Sequence, residues 1–412
     1  MKASSMKLNV VRAICYAAFF AFTTYLFYLE CTEVLVSDIP THINQALKSF
    51  HAYSVMSVFI TVAYTIAQEF GVAVLLGLFE IATVLVCEML MRKLAPDVNR
   101  WAIFICAFCC NVAIAIWVPF IHPYLTRGLS IGNAWHNTTF TAMRLVGLGA
   151  IWFYLRFIGR FESKNHKLDY AVFALLVILS ACTKPNFVLS FGPALAIVCI
   201  YDLKKEGTAT LKRSLALAVP FVLALAVIPF QTTALYGGGV SSGIGIGFFS
   251  VWRRFHFFIP IAMLQSYAFP LIALCACVRM RYRDRNYQLT WAIFFVSLFI
   301  YAFLKETGTR KLHGNFGWGL MFAVYYLMIV SVCAYLQTRR KNIHLLLGMP
   351  LASTEILKNS GLPVTYEEDL PETPEEIKKS KAFDACALTL FALHTISGII
   401  SIGSILAGNG YA

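Results

Sequence analysis

The residues of this 412-residue chain that could do chemistry fall in a few short runs. In VLVSDIPTHINQAL, Asp38 precedes His42 by four positions, which puts both on one helix face if Pro40 occupies the first turn. A carboxylate beside a cationic pocket can take a proton from a hydroxyl while the cations stabilise a departing phosphate. IGNAWHNTTFTAMR carries His136, Asn137 and Arg144, and SACTKPNFVLSF carries Lys184 next to Pro185. VWRRFHFF holds Arg253 and Arg254, and RKLHGNFGWGL holds Arg310, Lys311, His313 and Asn315. Asp38 and His42 form the candidate catalytic pair. The other ten residues are the candidate substrate contacts, with His136 and Asn315 orienting hydroxyls. The plainer readings are a helix-capping Asp38 and aromatic side chains that belong at any membrane interface.

The elements that must position these residues are set by composition. Apolar residues make up 59% of the chain and charged ones 13%, about half the roughly 25% of soluble domains. A chain of this length cannot dress two or three soluble domains with so little charge. It reads instead as an all-α polytopic membrane protein, which excludes secreted disulfide scaffolds, soluble Rossmann enzymes and nucleic-acid partners. About eleven spans are legible, at 10–29, 71–91, 101–122, 140–157, 168–183, 187–201, 214–230, 258–278, 289–304, 318–336 and 382–408. With the N-terminus inside, 25 of the 34 Lys and Arg residues fall in cytoplasmic loops and nine outside. The expected location is therefore the plasma membrane, multi-pass, with the candidate site on the outer face.

The nine outer cations are Lys48, Arg127, Arg144, Lys184, Arg253, Arg254, Lys305, Arg310 and Lys311. Lys48 and Arg127 read as headgroup snorkelling; Arg144, Lys184, Arg253, Arg254, Arg310 and Lys311 suggest an anion-binding cavity open to the outer leaflet. Six of nine histidines, His42, His51, His122, His136, His256 and His313, lie on the same side. The first span has the basic flank of a signal peptide but no clear cleavage site, and reads as retained. The twelve cysteines lie almost all in apolar helices and read as packing, so neither a metal nor another cofactor is called for. Glu80, in GLFEIATVL, has no cation at matching depth in the pattern and reads as an interhelical hydrogen-bonding group. Glu306 reads as part of an internal ion pair.

Two stretches are not simple spans. Residues 53–66 are apolar but too short to cross and read as an interfacial or re-entrant helix in the first outer loop. Residues 339–381, with LPVTYEEDLPETPEEIKK, read as a cytoplasmic linker between a membrane catalytic module (1–338) and a last helix with an outer tail (382–412). The short paired spans flanking Lys184 and Pro185 suggest a true helix break, where freed backbone meets a ligand or another helix.

A retained first helix, a long first outer loop opening on an acid, and about eleven spans resemble the GT-C superfamily of membrane glycosyltransferases. SDIPTHI, WHNTTFTAMR, TKPNF and LHGNFGWG resemble stretches of polytopic proteins from bacterial surface-polysaccharide clusters. The resemblance covers most of 1–336. It implies an inverting transferase with Asp38 as catalytic base. It further implies a polyprenyl (di)phosphate-linked sugar as donor and a cell-surface glycan or lipid as acceptor. The chain departs from the pattern in lacking a large extracytoplasmic domain and in carrying a single first-loop Asp where a pair is common. The outline also fits an O-antigen-type polymerase relying on outer arginines, a lipid-linked-oligosaccharide flippase or transporter, or a non-catalytic accessory subunit.

Overall fold

The structure is a computed structural model, and it describes residues 2–48, 54–162, 166–236, 243–256, 258–311, 313–339 and 374–409. His51, Tyr53 and most of the expected linker, 340–373, lie outside the described residues. The architecture is all-α. Its long helices are α1 (Lys2–Cys31), α3 (Val55–Leu94), α5 (Thr138–Gly159), α6 (Lys167–Thr183), α7 (Asn186–Glu206) and α8 (Leu211–Tyr236). They continue as α10 (Ile259–Arg279), α11 (Arg285–Phe303), α12 (Gly317–Thr338) and α13 (Pro374–Ser404). Shorter helices are α2 (Ile39–Lys48), α4 (Arg100–Val112) and α9 (Trp252–Phe255). Among the described residues, eight stretches are long and apolar enough to cross a membrane, one of them, Asn186–Gln231, taking in α7 and most of α8. α6, at 17 residues, and α4, at 13, are shorter than these. The last helix starts at Pro374, so residues 374–381 belong to it and not to a linker.

Local sequence explains the helix ends. Asn99, Asn137 and Asp284 each cap a helix by accepting a backbone N–H from its first turn, at 2.8, 3.0 and 2.7 Å. Lys184 is held extended (φ −154°, ψ 112°) because it precedes a proline, and α6 ends there. Within α3 the chain bends sharply at Ala67 and Gln68. The rings of Phe59 and Phe79 then stand 6.1 Å apart, where twenty residues of straight helix would separate them by about 30 Å. Gly71 permits the bend, since a Cβ there would overlap the Ala63 carbonyl. Residues 55–66 therefore run back along 69–94.

The expected span 101–122 is corrected. Its helix stops at Val112, and 113–137 forms an irregular segment that starts deep among the helices, with Ala113, Ile114 and Ala115 buried. Freed backbone at that depth needs partners. Ile114 N donates to the His394 carbonyl (3.2 Å), and the His394 ring meets Ile114 O (2.6 Å). Ile116 exchanges two bonds with Gln265 (2.8 and 3.0 Å), and Trp117 N donates to Ser397 Oγ (3.0 Å). α13 and α10 thus stand in for the missing helical turns, and Gly398 leaves room for the Val112 carbonyl.

α12 forms the centre of the bundle, with nearly every side chain buried. A two-stranded antiparallel sheet, β1 (Ile244–Ile246) with β2 (Leu304–Glu306), ties the loop before α9 to the end of α11, pairing Ile244 with Glu306. At the opposite end of the bundle, basic residues gather on buried acids. Glu88 meets Arg12, Arg92 and Tyr16; Asp169 meets Arg156 (2.8 Å) and Arg160 (3.2 Å); Asp384 meets Arg339 (2.8 Å).

Candidate functional site

The site forms where α1 hands over to α2. Ser37 Oγ accepts Ile39 N (3.1 Å) and the Asp38 carbonyl accepts His42 N (3.0 Å), so the turn is fixed by its own residues. The Asp38 side chain stays exposed at a cleft of about 370 Å³. One turn on, His42 Nδ1 hydrogen-bonds Thr138 Oγ1 at 2.7 Å. The start of α5 supplies the rest. Asn137 Oδ1, already capping that helix, also accepts from Thr139 Oγ1 (2.8 Å) and Lys184 Nζ (3.3 Å). Lys184 Nζ donates to Thr139 Oγ1 at 2.9 Å and lies 4.3 Å from the centre of the Trp318 ring. The His136 ring sits 6.0 Å from Trp318 and lines the cleft with Ser37, Arg127, Tyr301 and His313.

Charge follows from this packing. Burial pushes the His42 imidazole down to about 4, helped by Lys184, against the opposing pull of Asp38. His136 is likewise pushed down to about 4 by burial, with Asp38 opposing and Lys184 assisting. Both rings are neutral at pH 7 and can orient hydroxyls. Burial lowers the Lys184 amine to about 7, and Asp38 is the group that holds its charge in place. The result is an exposed carboxylate and a neutral imidazole at the cleft, Asp38 and His136, backed by a poised amine and a second neutral imidazole, Lys184 and His42, that lie outside its lining.

Not every sequence candidate joins this cluster. Arg144 is corrected: it is fully buried, donates to Glu80 (3.0 Å) and Asn111 (3.1 Å), and faces no cleft. Glu80 accordingly has the cationic partner that the span pattern did not reveal. Arg253 is exposed and lies over the Phe248 ring at 5.4 Å, and neither it nor the exposed Arg254 lines the cleft. Lys311 is also exposed and outside the lining, and the Arg310 side chain lies outside what the structure describes. Asn315 donates to both oxygens of Glu306 (2.9 and 3.0 Å), and its carbonyl accepts from Asn186 Nδ2 (2.8 Å). It secures the loop before α12 to the start of α7.

Sequence reasoning missed Thr138, Thr139 and Trp318, which hold His42 and Lys184. All three lie inside quoted motifs, but their contacts cross between helices. It also set Arg127 aside, and Arg127 lines the cleft. Among the described residues, no group of three or more His, Cys, Asp or Glu side chains is placed to hold a metal ion.

No protein-family model and no curated protein matches the chain. Solved structures similar to it include two of an archaeal oligosaccharyltransferase. The apo oligosaccharyltransferase of Archaeoglobus fulgidus matches with TM-score 0.45 and 11% identity, over 93% of this chain and 56% of that one. The archaeal oligosaccharyltransferase AglB from Archaeoglobus fulgidus, in complex with an inhibitory peptide and a dolichol-phosphate, matches with TM-score 0.45 and 10% identity over the same shares. The chain spans about half the length of the proteins it matches.

Proposed function

We propose that the chain is a membrane glycosyltransferase of the GT-C kind, working at the cleft beside Asp38. The donor is a polyprenyl (di)phosphate-linked sugar and the acceptor a hydroxyl of a cell-surface glycan or lipid, with the cleft on the outer face of the plasma membrane. The observation that carries this reading is an exposed carboxylate at a cleft lined by Arg127, His136 and His313, with the Lys184 amine held just behind the cleft wall, 4.3 Å from the centre of the Trp318 ring and within electrostatic reach of Asp38. Asp38 takes the proton of the acceptor hydroxyl as its oxygen attacks the anomeric carbon. The bond to the phosphate oxygen breaks on the opposite face, so configuration inverts. Lys184, behind the Trp318 wall of the cleft, stabilises the phosphate as negative charge develops on it, and Arg127 and His313 line the cleft itself. His42 and His136, being neutral, bind hydroxyls and do not compete for the phosphate.

A polymerase-like reading, which rests on outer arginines, would have to rest on Arg127, which lines the cleft. Arg144 is sealed in an ion pair and Arg253 and Arg254 lie off the cleft. A flippase would need a polar path along the bundle axis, which the closely packed α12 occupies. The test is sugar transfer by the purified full chain in detergent, from polyprenyl-phosphate sugars to hydroxyl acceptors. Transfer that depends on Asp38 supports the reading. A wild type inert with every donor, in a preparation that moves lipid-linked sugars across vesicles, would overturn it in favour of the flippase.

A further inference from the structure

A second cleft, of about 550 Å³, opens at the end of the bundle away from Asp38, where α3, α5, α7, α8 and the turn between α10 and α11 converge. Its basic lining is Lys93, Arg213, Arg281, Arg283 and Arg285. Its acids are Asp202, Glu206 and Asp284, so the five cations exceed the acids by two charges. The acids are spoken for. Buried Asp202 is gripped by Arg285 and by Arg213 (3.3 Å), Glu206 faces Arg213 (3.8 Å), and Asp284 caps α11. Among the described residues, Lys93 and Arg283 meet no carboxylate within ion-pair distance. Lys93 instead lies 6.0 Å from the Trp152 ring centre, in a smaller adjoining hollow that it lines with Arg156 and Arg160. The turn that carries Arg281 into the lining holds it at φ 50°, a strained conformation for a residue with a side chain.

Cations left on loops by the positive-inside rule need only be exposed. These converge on a concavity, and two of them are clamped by a buried acid, which fixes the guanidinium forks. Below the charged rim the wall is apolar, with Leu155, Leu195 and Leu217 all buried. An ordered guanidinium rim above an apolar wall fits an amphiphile, and an excess of two positive charges matches a phosphate monoester, which carries about −1.5 to −2 at pH 7. We propose that this cleft binds the phosphate-monoester head group of a membrane lipid, with Lys93 and Arg283 as its principal contacts and the apolar wall taking the upper acyl chain. The site is separate from the Asp38 cleft and does not rest on the transfer reaction.

The test uses the purified full chain in neutral detergent with dioleoyl phosphatidic acid, phosphatidylglycerol and phosphatidylcholine at equal mole fraction, counting retained lipid by native mass spectrometry. Phosphatidic acid is expected to be retained over both others. Its retention should fall by about tenfold or more in Lys93→Ala/Arg283→Ala, the loss of two charge-assisted contacts. Lys204→Ala/Lys212→Ala removes the same charge from exposed positions at the same end that do not line the cleft, and should retain the lipid as wild type does. Equal loss in the two double variants, or equal retention of phosphatidic acid and phosphatidylglycerol, would reduce the cleft to a generally basic surface and overturn the proposal. Complete displacement of the lipid by millimolar inorganic phosphate would overturn the lipid assignment, because the apolar wall would then contribute nothing.

Discussion

Arg144 Nη2 donates to Glu80 Oε2 at 3.0 Å, and neither side chain exposes any surface. The same nitrogen reaches Asn111 Oδ1 (3.1 Å), which also accepts from Tyr325 OH (2.6 Å), and the Tyr325 ring lies 4.8 Å from the guanidinium. The pair locks α5 to α3 and so sets the height of Asn137, Thr138 and Thr139, which hold the site. Breaking a buried pair from one side strands a charge, which costs on the order of 3–5 kcal/mol. Glu80→Ala should therefore lower the thermal midpoint in detergent sharply, whereas Glu80→Leu/Arg144→Leu should lower it less. A Glu80→Ala protein as stable as wild type would show that the pair does not carry this load.

Asp38→Asn keeps the shape of the side chain and removes its ability to take a proton. Transfer should fall by about 10²–10⁴-fold, the usual worth of a general base, with little change in donor KM. Because the Asp38 side chain is exposed and the turn is held by Ser37 and backbone, the variant should melt like wild type. Full activity in Asp38→Asn would remove the residue from its catalytic role.

Much of this was legible in the sequence, for definite reasons. Span positions follow from hydropathy, so ten of the eleven expected stretches fall on long helices. The eleventh failed because hydropathy reports depth and not conformation: 113–117 is as apolar as a helix, and its backbone is satisfied by His394, Ser397 and Gln265 from elsewhere in the chain. Asp38, His42, His136 and Lys184, each at a span end in a polar motif, are the candidates that the structure brings close together. Arg144 was misassigned on the same evidence. Six residues into α5, it lies deep enough to be either cavity-facing or paired, and only the packing of α3 against α5 decides between the two.

The orientation assumed for the Asp38 cleft is itself testable. In a background freed of reactive native cysteines, a cysteine at Pro123 should label from outside intact cells and one at Lys204 should not. Both positions are exposed and lie at opposite ends of the bundle. Labelling of Lys204→Cys alone would invert the topology and put the Asp38 cleft in the cytoplasm.

Lys184 makes a prediction in pH. Its amine is lowered to about 7 by burial, and the charged form is the one that binds phosphate. The free protein therefore loses its phosphate-binding charge as pH rises through about 7. Since kcat/KM reports groups of the free enzyme, it should fall about tenfold per pH unit on the alkaline side. Bound donor places negative charge beside the amine and raises its pKa, so kcat should hold to higher pH than kcat/KM does. Lys184→Arg substitutes a group that stays charged throughout this range and should abolish the alkaline fall while keeping measurable transfer. Lys184→Ala should be impaired at every pH, chiefly in KM. An alkaline limb that persists unchanged in Lys184→Arg would show that another group titrates there, and Lys184 would then hold Thr139 and Asn137 in place without binding the donor.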